Sequence, residues 1–502
     1  MDRLEKCGGR RSGTRTTLTR CAGGAAAVLL ALAASQAAFA VQGGKPSEPK
    51  PPTKLVKPVP PPPQPTTTDC TQLTYVEQLG TLPDGTPWGM RKPSNWNGVL
   101  INDLDFIPAL NNPRTCYWLS KGYAVSGTNR HPQRAFQYDP AQETTNLMTV
   151  IDNFATAHGQ PNRIVEYGHS GGGFVALGIA ENYSNRIDGV VAGCAHEQVP
   201  LMNTMYDGWF VLQSLIAPHL QIANFTDLAA IPALGQAWRA ALTEAQATPA
   251  GRARIALAVA IGQWPAWTSL TKPPPNERDV VALQEAMFDT AITVAAQPGG
   301  QSRFMSEHAG GVPPAMPRQL SWNNTVDYER LFHRADKNYA RAVRALYKAA
   351  GVDLQTELAA LNSKPRISAD PAAIAFWAAP GRTVHGTPKI PVLRFHTTGD
   401  HAVPPQIMDG YEQKMRQNHG DKRLYRTVVV EAGGHCTFSA SESAAAIETL
   451  LKRVETGRWP DTQPRDMNKL ANKLLPEIPA RFVDYDMVKY NRPHNAPASY
   501  ND

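Results

Sequence analysis

The chain is poor in the features that most often settle a protein's class. Of its 502 residues only six are cysteine, and these do not combine with histidine in a zinc-type spacing. It has neither a phosphate-cradling loop nor a dinucleotide fingerprint. Neither metal nor cofactor is therefore expected. Apolar runs are short, well below the roughly 20 residues that span a bilayer. Charge of one sign is scarce too. The formal net charge is +7, but from Cys70 onward 40 Lys/Arg face 39 Asp/Glu. So neutral a body excludes partners captured by charge alone, nucleic acid and anionic membranes first among them. Oligomeric state leaves no trace in the sequence.

What is present begins with an export signal. Arg10, Arg11, Arg15 and Arg20 form a basic start, residues 24–34 a short apolar core, and Ala38-Phe39-Ala40 a small-x-small cleavage site. Residues 1–40 thus read as a signal peptide, and the protein as secreted or periplasmic. Cys21 precedes the apolar core instead of following it, which argues against a lipid anchor. Residues 41–69 are a Pro/Lys-rich linker containing Pro60-Pro61-Pro62-Pro63, extended and unable to bury a core. Removing the signal leaves Cys70, Cys116, Cys194 and Cys436 in an oxidising compartment. Four cysteines allow three pairings.

Beyond Cys70 short β-prone runs alternate with helical patterns: strands at 73–79, 99–101, 122–125, 164–167 and 188–193, and a helix at 146–158. Such alternation predicts a mostly parallel sheet covered on both faces. It then stops. Residues 198–388 read as helices, at 233–247, 252–261, 279–296, 327–350 and 354–361, with proline-rich breaks. Trp209, Trp238, Trp264, Trp267, Trp322 and Trp377 fall in this stretch and are expected mainly as its own core. Strands resume at 390–396 and 424–431, a helix follows at 442–456, and the tail from residue 459 lacks periodicity. The expected organisation is a core of residues 70–197 and 389–502, with a helical cap of residues 198–388.

The chemistry sits at strand ends. Ile164-Val165-Glu166-Tyr167 runs directly into Gly168-His169-Ser170-Gly171-Gly172 and then into an apolar helix. Strand, sharp turn with G-x-S-x-G, and helix make the nucleophile elbow of the α/β-hydrolase fold. Acyl transfer by a serine needs a base, a carboxylate to orient it, and two donors for the oxyanion. In this fold the chain order is Ser, acid, His. Ser170, Asp400 and His435 satisfy it, each following a strand. His396 and His401 are weaker rivals for the base, and Glu197 for the acid, with His196 beside it at the pocket mouth. The first oxyanion donor is expected to be the N–H of Gly171, and the second that of Leu104, in the loop Asn102-Asp103-Leu104-Asp105. That acidic pair is expected to disfavour anionic substrates.

With these residues quoted, the chain resembles secreted bacterial α/β-hydrolases of the serine esterase kind that carry a large helical lid. The likeness runs from about residue 79 to 459. It rests on Pro93-Ser94-Asn95-Trp96-Asn97-Gly98, the elbow, Gly399-Asp400-His401-Ala402-Val403-Pro404 and Gly434-His435-Cys436-Thr437-Phe438. Tannase and feruloyl esterase relatives likewise place a cysteine directly after the catalytic histidine and bridge it to one directly before the nucleophile, where this chain has His169. The resemblance therefore implies a bridge for Cys436, with Cys194 as the substitute partner and Cys70 left to Cys116. It also implies cleavage of a small or polymeric carboxylic ester through an acyl-enzyme. Two other readings stand beside it: a serine peptidase of the prolyl-peptidase type, and a secreted binding protein that keeps the fold without catalysis.

Overall fold

The computed structural model describes residues 66–295, 300–311 and 316–492. The signal segment 1–40 and linker residues 41–65 lie outside the described residues. Among the described residues nine strands form one sheet: β1 (Tyr75–Thr81), β2 (Pro87–Pro93), β3 (Val99–Asp103), β4 (Ala124–Thr128), β5 (Arg163–His169), β6 (Gly189–Gly193), β7 (Val392–Gly399), β8 (Tyr425–Gly433) and β9 (Phe482–Val483). Their order is β1-β2-β4-β3-β5-β6-β7-β8-β9. β4 through β8 pair in parallel, and antiparallel strands close both edges. This is the α/β-hydrolase fold.

The crossovers are α1 (Pro113–Ser120), a single turn α2 (Arg134–Gln137), α3 (Pro140–His158) and α4 (Gly171–Asn182). α3 begins six residues before the periodic stretch expected at 146, because Asp139 accepts from the Ala141 N–H and Pro140 occupies the first turn. Between β6 and β7 run α5 (Gln198–Leu215), α6 (Ile231–Gln246), α7 (Pro249–Ile261), α8 (Val280–Ala295), α9 (Gly300–Glu307), α10 (Tyr328–His333), α11 (Lys337–Ala350), α12 (Leu354–Ser363) and α13 (Pro371–Ala378). α5, α9 and α13 have no counterpart in the sequence reading. The helix expected over 327–350 is two, because Asp336 caps a new start by accepting from the Asn338 and Tyr339 N–H groups. Trp209, Trp238 and Trp264 are buried together, with ring centroids 4.8 and 5.6 Å apart. Trp322 and Trp377 are also buried. Contrary to expectation these tryptophans are not a core of the insertion alone: they share one hydrophobic cluster with Leu100, Phe174, Val190 and Val392 of the sheet and its helices, and Trp267 is the half-buried exception.

The remaining helices are α14 (Ile407–Gln417), α15 (Ala440–Thr456) and α16 (Pro464–Leu474). α15 starts with a reciprocal cap between Ser439 and Glu442. The tail differs from the aperiodic wrap expected of it: α16 and β9 extend the core, and Tyr490, Asn491 and Arg492 are buried. Arg492 Nε pairs with Asp207 Oδ2 of α5 at 2.8 Å and its Nη2 donates to the Trp322 carbonyl. Arg492 thereby fastens this segment to the helical insertion. Among the described residues no helix is long and apolar enough to cross a membrane.

Candidate active site

In the strand order the chain moves to one side from β3 to β4 and to the other from β3 to β5. Ligand crevices in such sheets open at the carboxyl ends of strands where the direction reverses. The loops after β3 and β5 hold Leu104 and Ser170, so both sit at that point. Ser170 has φ 55° and ψ −120°, a costly conformation for a residue with a side chain. Its N–H donates to the Gly193 carbonyl at 2.9 Å. The turn is too tight for a side chain at Gly168, where a methyl group would lie 2.3 Å from the Gly172 carbonyl oxygen.

The acid and the histidine meet across the ends of β7 and β8. His435 Nδ1 lies 2.8 Å from both Oδ1 and Oδ2 of Asp400. Asp400 is fully buried, and its Oδ1 also accepts from the Ala402 and Val403 N–H groups at 3.0 and 2.9 Å. Burial works against its charge. The His435 ring and these donors outweigh that and hold the carboxyl below its ordinary range. Burial likewise disfavours the charged ring of His435, but the Asp400 carboxylate outweighs it by charge and hydrogen bond, so its pKa is raised. The ring keeps 28 % of its side chain exposed and can reach a substrate.

Disulfides join Cys70 to Cys116 and Cys194 to Cys436. The second ties the histidine loop to the elbow: Cys194 follows Gly193, which holds the Ser170 N–H, and Cys436 follows His435. Phe438 of the same loop packs on Phe395 and on His169, at centroid distances of 3.8 and 5.3 Å. His169 bonds Tyr167 Oη at 2.8 Å, filling the place a cysteine holds in the tannase-like pattern. Cys194, Asp400, His435 and Cys436 cluster closely enough to suggest a metal site, but both sulfurs are committed to the disulfide.

The rivals are otherwise engaged. Glu197 pairs with Lys414 Nζ at 2.8 Å in a buried pocket, where burial, only partly offset by that lysine, pushes its carboxyl up to about 7. His396 is fully buried beneath Asp400 and bonds the Val403 carbonyl at 2.8 Å. His401 bonds Thr268 Oγ1 at 2.7 Å. His196 is buried against the elbow instead of at the mouth, stacked on Phe174 and 3.6 Å from where a Gly171 methyl would lie. Burial, with the Arg134 charge next, holds its ring neutral, its pKa down to about 3.

The loop after β3 corrects one expectation. Asp103 and Asp105 do not present free negative charge: Asp103 pairs with Arg114 at 2.8 Å, and Asp105 takes Arg130 through two bonds of 2.6 Å. Leu104 lies between them, its Cβ 3.4 Å from where a Gly172 methyl would sit. The expected repulsion of anions is thus cancelled by arginines that the sequence reading did not single out. A strap of the cap crosses the other side. The Trp267 carbonyl lies 2.4 Å from where a methyl on Gly399 would be, and the Ser269 carbonyl 2.0 Å from one on Gly433. Leu270 packs beside Gly434 in the same way.

No protein-family model matches the chain. It is 42% identical over 445 residues to a Xanthobacter agilis protein named o-phthalyl amidase, a match that covers 84% of this chain and 97% of that one. Among solved structures it is similar to feruloyl esterase B from Aspergillus oryzae, at 14% identity and a TM-score of 0.35, covering 78% of this chain and 82% of that one. Candida antarctica lipase A is similar at 13% and 0.34, covering 77% and 78%.

Proposed function

The chain belongs to the o-phthalyl amidase family and is a hydrolase, and from that premise we propose that it is an exported serine hydrolase cleaving carboxylic amides and esters through Ser170, His435 and Asp400. The observation that carries this reading is the contact of His435 Nδ1 with both oxygens of a buried Asp400, on a loop bridged by disulfide to the strand beside Ser170. Asp400 fixes the tautomer with the proton on Nδ1, leaving Nε2 free to take the serine proton. Ser170 Oγ then attacks the acyl carbon, and the negative oxygen is received by the Gly171 N–H, with the Leu104 N–H as second donor. His435 returns the proton to the leaving amine or alcohol, and water repeats the sequence on the acyl-enzyme.

A triad of this kind does not separate amide from ester, because the leaving group alone differs; the relative's name makes amides, phthalyl amides among them, the first substrates to test. Two disulfides between distant segments support export to an oxidising compartment. The test is hydrolysis of 4-nitroanilides and 4-nitrophenyl esters of graded acyl size by wild type and Ser170→Ala. A loss of at least about 10³-fold in the variant is expected. Equal turnover by both proteins would refute the serine mechanism, and turnover by neither would favour the binding-protein reading.

A further inference from the structure

The β3–β4 side of the elbow holds charged groups that the mechanism above leaves unused. Arg130, just after β4, and Arg134, opening α2, both approach the residue after the nucleophile. A methyl group on Gly171 would lie 2.8 Å from Arg134 Nη2 and 3.2 Å from Arg130 Nη1. A Cβ sits about 2.5 Å from its own amide nitrogen, which puts Arg134 Nη2 within about 5 Å of the oxyanion donor.

Both guanidinium groups are gripped from behind. Asp105 holds Arg130 through Nε and Nη2 at 2.6 Å each, and Arg130 Nη2 also reaches the His169 carbonyl at 3.3 Å. Glu143, buried in the first turn of α3, lies 3.3 Å from Arg134 Nε and 3.7 Å from Arg130 Nη1. Arg134 also stacks over the Tyr138 ring, its Cζ 4.3 Å from the centroid. The carboxylates thus fix the rear of each fork, and the Arg134 Nη2 end is turned toward Gly171. Arg130 Nη1 and Arg134 Nε are buried and, among the described residues, make no hydrogen bond. His196, neutral, closes the third side. A planar fork held in this way receives a carboxylate through two parallel bonds, and a lysine at the same place would supply only a point charge.

We propose that Arg134, backed by Arg130, is a specificity determinant that receives a carboxylate on the acyl part of the substrate, next to the scissile carbonyl. The phthalyl group in the relative's name has this form, an acyl group with two adjacent carboxyl carbons, one in the bond to be cleaved and one free and ionised. This rests on the serine-hydrolase reading and adds the residues that would recognise the free carboxylate.

The test pairs 2-carboxybenzoyl 4-nitroanilide with benzoyl 4-nitroanilide, which lacks only the carboxylate. Wild type is expected to prefer the first by at least about 100-fold in kcat/KM. Arg134→Gln is expected to cut that preference about 100-fold, and Arg134→Lys to restore part of it. A second readout needs no turnover: calorimetric binding of phthalate against benzoate to Ser170→Ala, with and without Arg134→Gln. Phthalate is expected to bind at least about 10-fold tighter, and the double variant to lose that margin. A wild-type preference near one, a preference unchanged in a folded Arg134→Gln, or equal binding of phthalate and benzoate would overturn the proposal. Full activity in Ser170→Ala would instead refute the serine mechanism, and the binding comparison would still decide the role of Arg134.

Discussion

The two flanks of Ser170 are built by different means. On the β7–β8 side the main chain does the positioning. Asp400 is held by two backbone N–H groups, His435 stands on a disulfide-bridged loop, and glycines let the cap's strap lie against both loops. On the β3–β4 side long side chains from scattered positions hold one another, Asp103 with Arg114, Asp105 with Arg130, and Glu143 with Arg134. The first arrangement suits groups that must meet at a fixed separation in every turnover. The second places charge and can be retuned one residue at a time.

Substitutions can break this contrast at several points. The largest effect is expected from Asp400→Asn, which keeps the shape of the main-chain flank but stabilises the wrong tautomer of His435. By analogy with triads in general, kcat/KM should fall about 10⁴-fold in steady-state assays. Next comes pH. As the proposed base His435 must be neutral to act, and its pKa is raised above the ordinary 6.5 because Asp400 outweighs burial. Activity should therefore rise with pH through a value above 6.5, about tenfold per unit below it. In Asp400→Asn the residual activity should titrate at lower pH, since the raising charge is gone and burial remains. A pH–rate profile of both proteins checks the sign.

Smaller effects separate the flanks by stability. Cys194→Ser with Cys436→Ser opens a bridge between residues 242 apart in sequence, and should cost about 2–4 kcal/mol in denaturant unfolding. Gly433→Ala drives a methyl group against a backbone oxygen and should cost about 1–3 kcal/mol. Gly171→Ala on the other flank meets side-chain tips, those of Arg134 and Arg130, which give more readily than a backbone oxygen even though they are paired, and should cost less, about 1 kcal/mol. Equal costs at the two glycines, read by thermal melts, would erase the distinction.

The same contrast explains what could be read from the sequence. The alternation of strands and helices, and the elbow itself, are local patterns, so the fold class was legible. Ser170, Asp400 and His435 each follow a strand and stand beside glycine, because the main chain makes those sites. Arg130 and Arg134 belong to no motif. Their only sequence signal is a pair four residues apart across His131-Pro132-Gln133, shortly before Glu143 at the start of a helix. Counting Asp103 and Asp105 without these long-range partners gave the loop the wrong electrostatic character. The tail was missed for a similar reason. Arg492 is buried in a pairing with Asp207, which lies 285 residues earlier, and periodicity carries no trace of such a pairing.

The strap from Trp267 to Leu270 has a consequence for how this molecule can vary. Its carbonyls lie against Gly399 and Gly433, the residues from which the acid and base loops depart, and Thr268 is bonded to His401 beside Asp400. By position these four residues belong to the helical insertion, yet by contact they form a wall of the proposed catalytic centre. A chimera that exchanges the insertion for another must leave this tetrapeptide with the sheet. Otherwise it replaces the wall against which the loops of Asp400 and His435 rest.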